Sequence, residues 1–219
     1  MAASLDGATA LSNGASQWIT AEAARADGHA WRARAGAILS GIGTVLADDP
    51  RLDVRLVETA RQPLRVLVDA RLDIPLQARL IAPPGELLIY TAADAPTNAD
   101  KRAALADLGV TVIDCPGPER PGATRKVDLA ALLRDLARRG VNELHVEAGH
   151  KLNGSLLRER LVDELLLYLA PKLLGPGMGL ANIGPLTELA QGIELEFVEA
   201  TPVGRDLRLR ARVSGRAGF

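Results

Sequence analysis

The sequence predicts an α/β fold: a mixed sheet flanked by helices, with antiparallel strands at its C-terminal end. Short β-rich runs alternate with helical stretches along most of the chain, and the apolar runs are continuous, as in strands buried on both faces. After Leu174 the texture changes to a Gly/Pro loop followed by two alternating segments. The length of 219 residues suits one domain spanning 1–219, long enough to bury a substantial core.

In chain order, the first long helix is expected from Thr20 to Ala35, with Thr20 as N-cap and Glu22 in the first turn. A strand follows at Ala37–Ser40, then strands at Leu64–Asp69 and Glu86–Thr91, a helix at Asn98–Leu108 and a strand at Val110–Asp114. Pro116–Gly122 reads as a surface loop, since the β/α rhythm continues on both sides of it. Asp128–Arg138 is predicted helical because Leu129, Leu132, Leu133 and Leu136 make the stripe of a helix packed on a sheet. Strands at Glu143–Glu147 and Glu164–Ala170 bracket a helix at Leu152–Arg160. Beyond the Gly175–Pro185 loop, Ile193–Val203 and Asp206–Val213 read as a hairpin turning near Gly204-Arg205.

The net charge is −1 and the 26 basic residues are scattered, so the footprint of a nucleic-acid binder is missing and small molecules are the expected partners. Apolar runs such as Leu165–Pro171 fall short of the roughly 18 to 20 residues of a membrane helix. No signal peptide is visible. One cysteine, Cys115, excludes an internal disulfide and a multi-cysteine zinc site and fits a reducing cytoplasm. His29, His145 and His150 lack the spacings of common metal motifs and read as core or surface histidines, so no metal is expected.

Several junctions carry polar chemistry. Gly41-Ile42-Gly43-Thr44 follows a strand, where glycines let backbone approach a ligand phosphate or sugar; an ordinary tight turn is the plainer reading. Asp48 and Asp49, like charges before Pro50, favour no regular element and fit a proton donor, a ligand contact or a turn cap. Glu147 ends an apolar strand and is followed by Ala148-Gly149-His150-Lys151-Leu152-Asn153-Gly154-Ser155, a glycine-bearing loop and helix start suited to a pyrophosphate. A directed ligand contact and a buried structural carboxylate both remain open for Glu147. Arg25, Arg32 and Arg34 on the first helix, with Arg55 beyond the Asp48-Asp49-Pro50 turn, suit bidentate phosphate contact or a solvated basic face.

Read together, these segments resemble the pyrimidine reductase domain of the bacterial riboflavin-biosynthesis deaminase/reductase. The matching stretches are Ala2–Gly7, Ser16–Thr20, Ala37–Leu39 through Thr44–Pro50, Val66–Asp69, Val146–Gly149, and Asp163–Leu165 through Ala170–Gly175. The resemblance implies a dihydrofolate-reductase-like fold, an NADPH cofactor and reduction of 5-amino-6-(5-phosphoribosylamino)uracil to the ribitylamino product. It implies cofactor contacts at Ala2, Trp18, Thr44, Asp48, Ala70 and Gly149 to Ser155, and substrate contacts at Ser16, Arg32, Leu52, Arg55 and Glu147. Asp48 is the candidate catalytic residue. A homodimer assembled partly through the C-terminal strands is expected.

Two positions depart from the family. A lysine usual two positions before the alanine matching Ala2 would precede Met1, so the chain is expected either to be cut within its first strand or to manage without it. Ala70 stands where the family often has a hydroxyl for the cofactor's extra phosphate, and Arg71 is the expected charge partner instead. The family's zinc deaminase needs a His/Cys/Cys set that this sequence lacks. The competing readings are a sibling reductase acting on the 2,5-diaminopyrimidinone before deamination, and a non-catalytic nucleotide-binding module.

Overall fold

The structure, a computed structural model, describes residues 1–119 and 121–216. Its strands are β1 (Ala2–Ser4), β2 (Ala10–Leu11), β3 (Ala37–Gly41), β4 (Leu64–Val68), β5 (Leu87–Thr91), β6 (Val110–Asp114), β7 (Leu144–Val146), β8 (Glu164–Ala170), β9 (Gly177–Met178), β10 (Leu195–Val203) and β11 (Asp206–Val213). Its α-helices are α1 (Glu22–Arg34), α2 (Ile42–Asp48), α3 (Ala99–Asp107), α4 (Leu129–Arg138) and α5 (His150–Arg158). The chain divides into two compact units, His29–Ala148 and the pair of segments Met1–Gly28 and Gly149–Phe219.

The unit His29–Ala148 is built on a five-stranded, wholly parallel sheet of order β6-β5-β4-β3-β7. Register puts Ile38, Leu67, Leu87, Ile89 and Val110 on one face, where they form a core with Val45 of α2 and Leu105 of α3. Leu39, Val66, Leu88 and Tyr90 are fully buried on the other face, and Tyr90 Oη donates to Asp135 of α4 at 2.7 Å. The leucine stripe of α4 is buried as its spacing predicts, with Leu132 and Leu136 at 0% and 1% exposure. Each such leucine contributes roughly 1.5–3 kcal/mol. The Asp128 carboxylate accepts from Ala131 N–H at 2.8 Å, which starts α4 one residue later than expected.

The other unit holds a four-stranded sheet of order β1-β8-β11-β10 and the short pair β2-β9. Hydrogen bonding thus separates β8 from the parallel strands, and the mixed character lies in this sheet: β1 is parallel to β8, and β11 antiparallel to both β8 and β10. β9 lies inside the segment expected as a Gly/Pro loop, and the hairpin begins at Leu195 rather than Ile193. Helix α1 begins two residues after Thr20. The Asp206 carboxylate, from the far end of the sequence, accepts from Ala21 N–H at 2.7 Å, a cap that no local reading could assign. No helix is long and apolar enough to cross a membrane, and among the described residues no group of three or more metal-ligating side chains occurs.

Candidate functional site

The chain steps outward from β3 through β4 and β5 to β6, then returns to the far side of β3 as β7. Open parallel sheets bind ligands outside the carboxyl ends of their strands at such a reversal. Here Gly41 ends β3 and Glu147 follows β7. Glu147 N–H donates to Leu39 C=O at 2.8 Å, and Ser40 Oγ donates to Glu147 C=O at 2.7 Å, so strand pairing fixes its backbone.

The Glu147 carboxylate is gripped from two sides. Arg32 of α1 donates through Nε to Oε1 at 2.5 Å and through Nη2 to Oε2 at 2.6 Å, and His145 Nε2 lies 3.3 Å from Oε1. Burial alone would push this carboxyl up, but the Arg32 guanidinium and His145 hold it well below the usual carboxylate range. Glu147 is therefore an ionised acceptor. Its side chain stays 27% exposed, whereas Arg32 is only 14% exposed, which corrects the solvated-face reading for this arginine.

Around the pair lie Arg55, expected as a substrate contact, His29, expected as a core or surface histidine, and Asp53, which the sequence did not single out. Arg32 Nη1 donates to Asp53 C=O at 2.9 Å and approaches His29 Nε2 at 3.3 Å, while Arg55 N–H points at His29 Nδ1 at 3.2 Å. A neutral imidazole has one lone pair and an imidazolium none, so donors on both sides oppose protonation. Burial, then the Arg32 and Arg55 charges, pulls His29 down to about 4. The nearly buried Asp53 accepts from Arg51 Nε at 2.8 Å and from Arg55 Nη1 at 2.6 Å.

The Gly41–Thr44 segment is not a turn. Gly41 closes β3, and Ile42 begins α2, with Gly43 and Thr44 inside it. Asp48 is an exposed last residue of that helix, so the expectation that Asp48 and Asp49 favour no regular element fails at Asp48. Asp49 is the left-handed C-cap, φ 42°, and its Oδ1 accepts from Arg79 N–H at 2.8 Å. Leu52 also has a positive φ, 49°, and its side chain belongs to the core. Ala70 and Arg71 follow β4 and line a cavity of about 310 Å³ with Asn98, Thr124 and Arg125.

In the other unit, Ala2 lies on β1, and Ser16 is half-buried. Trp18 is 64% exposed with the Arg25 guanidinium 4.6 Å from its ring centroid. Residues His150–Ser155 are not a loop. They form the first turns of α5, whose N-cap Gly149 has no side-chain capping bond. Asn153 is nearly buried and donates to Leu180 C=O at 3.0 Å. A Cβ on Gly154 would collide with the Asn182 backbone, so this glycine serves chain packing.

The RibD C-terminal domain family matches residues 1–209. The chain belongs to that family. The RibD riboflavin biosynthesis protein of Escherichia coli K12 is 38% identical over 95% of this chain and 57% of its own length, and that of Bacillus amyloliquefaciens 34% over 96% and 55%. The chain thus spans little more than half the length of these RibD relatives. Among solved structures, Acinetobacter baumannii RibD superposes with a TM-score of 0.80 at 33% identity, covering 98% of this chain and 56% of that one. A Thermotoga maritima diaminohydroxyphosphoribosylaminopyrimidine deaminase/5-amino-6-(5-phosphoribosylamino)uracil reductase gives 0.76 at 25% identity, covering 97% and 54%.

Proposed function

We propose that residues 1–219 act as one reductase domain that reduces 5-amino-6-(5-phosphoribosylamino)uracil to its ribitylamino counterpart with NADPH. The observation that carries this reading is Glu147, an ionised and doubly anchored carboxylate at the strand end where chain order reverses, in a chain of the RibD C-terminal domain family. The strand ends also fit a dinucleotide, because the cavity beside Ala70 and Arg71 supplies two guanidinium groups within the same unit. NADPH, when bound, supplies the hydride.

A closed ribosylamine has no unsaturated carbon to accept hydride. Its ring must open to a C1′ imine, which reacts faster once its nitrogen is protonated. Glu147 is held ionised, so it has no proton to give; it accepts from pyrimidine N–H groups and orients the ring. Asp48, exposed at the end of α2, is the proposed proton donor and a cofactor neighbour with Thr44. Arg55 holds the 5-phosphate, Arg32 keeps Glu147 in place, and Leu52 makes its contact through backbone. For Ala2, Ser16, Trp18 and the Gly149–Ser155 turns the assignment rests on the resemblance alone.

We further propose a cytoplasmic homodimer joined through β10, an edge strand with Leu195, Phe197 and Val198 exposed. The test of the activity is to incubate the purified chain with NADPH and each candidate pyrimidine, following the nicotinamide absorbance. Loss with the deaminated substrate is expected. Loss with only the 2,5-diaminopyrimidinone would move the reading to the sibling reductase, and NADPH binding without turnover would favour a non-catalytic module.

A further inference from the structure

Glu147 is only one end of its network. Arg32, which grips that carboxylate, also donates through Nη1 to Asp53 C=O at 2.9 Å, so one guanidinium links Glu147 to the segment after Pro50. The nearly buried Asp53 carboxylate holds two further arginines, Arg51 Nε at 2.8 Å from Oδ2 and Arg55 Nη1 at 2.6 Å from Oδ1. Burial opposes its charge, but the bonds from Arg51 and Arg55 keep this carboxyl below its ordinary value. The backbone beside it is fixed as well. Val54 exchanges two hydrogen bonds with the Gln62 side-chain amide, at 2.8 and 2.9 Å, and Arg55 N–H points at His29 Nδ1.

One guanidinium suffices to neutralise one carboxylate, and here there is a surplus. Arg65, buried and donating to the carbonyls of Leu80, Pro83 and Gly85, adds its charge to the field at Asp53 and Arg51. Arg32, Arg51, Arg55 and Arg65 thus stand against Glu147 and Asp53, an excess of two positive charges, while His29 is neutral near pH 7. Of the four, Arg51 and Arg55 are the ones that reach solvent, with side chains 39% and 49% exposed.

We propose that Arg51 is a second phosphate arginine, which with Arg55 clamps the substrate's 5-phosphate while Asp53 holds the two guanidinium groups together. Paired guanidinium groups with charge to spare are suited to a phosphate dianion. Each has five N–H donors, and the bonds to Asp53 engage one on each, leaving others to a ligand. Because Asp53 already orders both side chains, gathering them around a phosphate costs less conformational entropy. The ligand so described carries a ring for Glu147 at one end and a phosphomonoester at the other.

The inference rests on the reductase reading above, and calorimetric titration of the ribitylamino product, with and without its 5-phosphate, separates the two. Wild-type protein is expected to bind the phosphorylated form more tightly. Arg51→Ala should weaken that form about tenfold and leave the phosphate-free form within about twofold, so that the preference for phosphate shrinks. A purely structural Arg51 would weaken both forms alike, and that result overturns the inference. So does a phosphate preference that is absent from the wild type or intact in Arg51→Ala, and each of these leaves the reductase reading standing. Wild-type protein that binds neither form overturns both.

Discussion

Two arginine–carboxylate networks of similar composition occupy the two units, and they differ in what holds them and where they sit on their sheets. At the β7 end, Arg32, Glu147, His145, His29, Asp53 and Arg55 converge from a helix, a strand end and an irregular segment. On the four-stranded sheet, Arg208 bridges Asp27 and Glu199, while Arg210 bridges Glu199 and Glu164. Those groups sit mostly on neighbouring strands, with Glu199 directly opposite Arg210 in the register. Bonds from Arg208 first, then Thr201, hold Glu199 down to about 2. Cross-strand pairing of this kind stabilises a sheet wherever it falls. The β7 network instead sits where an open sheet receives ligands, at the strand ends where chain order reverses. Position, rather than charge content or exposure, distinguishes the two: Glu147 and Glu199 are equally exposed, at 27%.

The largest expected effect is on turnover. Asp48→Asn should lower turnover by about 10² to 10⁴ with NADPH affinity kept if Asp48 is the acid proposed above. Near wild-type turnover in stopped-assay measurements would leave the aspartate a positioning role. Next, Arg55→Ala should raise the pyrimidine KM about tenfold with little change in kcat, since one charge-assisted contact is worth roughly 1.5–3 kcal/mol. An unchanged KM would return Arg55 to its Asp53 partner as a purely structural arginine.

The second network should behave in the opposite way. Arg208→Ala is expected to cost roughly 1–2 kcal/mol of stability in denaturant titrations, with KM for the pyrimidine unaltered. A shift in KM larger than the loss in stability would blur the distinction between the two networks.

A further effect is a pH dependence. The His29 imidazole is lowered to about 4 in the folded chain, so below its ordinary value of 6.5 the unfolded chain takes up a proton that the folded chain refuses. Stability should fall as pH drops from about 6.5 to about 4, and His29→Asn should flatten that slope. Glu147 and Glu199, whose folded values are depressed, lose their contribution as pH falls from about 4.5 downward, which leaves the upper part of the window to His29. An identical slope in the variant would contradict this assignment.

Much of this was legible in the sequence where periodicity or punctuation carries the information. The α4 stripe, the runs at β3 to β5 and the hairpin turn at Gly204-Arg205 all depend on near neighbours. Glu147 was legible because it closes an apolar strand before a glycine. The partners were not. His29, Asp53 and Arg32 meet through a fold that brings residues 29, 32, 53 and 147 together, and nothing local to any of them announces the others. The helix over Ile42–Asp48 was obscured by its glycine and by two adjacent aspartates, which have poor intrinsic preference for the state they adopt. The Asp206 cap on α1 was hidden for the same reason of distance.

Titrating the pyrimidine and NADPH separately onto Glu147→Gln is the most direct test of Glu147 as a ligand-facing carboxylate. The glutamine keeps the shape and one acceptor for Arg32 but loses the charge, and a thermal melt checks that the fold survives. Pyrimidine affinity should fall by about tenfold or more, with NADPH affinity within twofold of wild type. Unchanged pyrimidine affinity in a folded variant would make the Arg32–Glu147 pair a brace of the same kind as Arg208–Glu199.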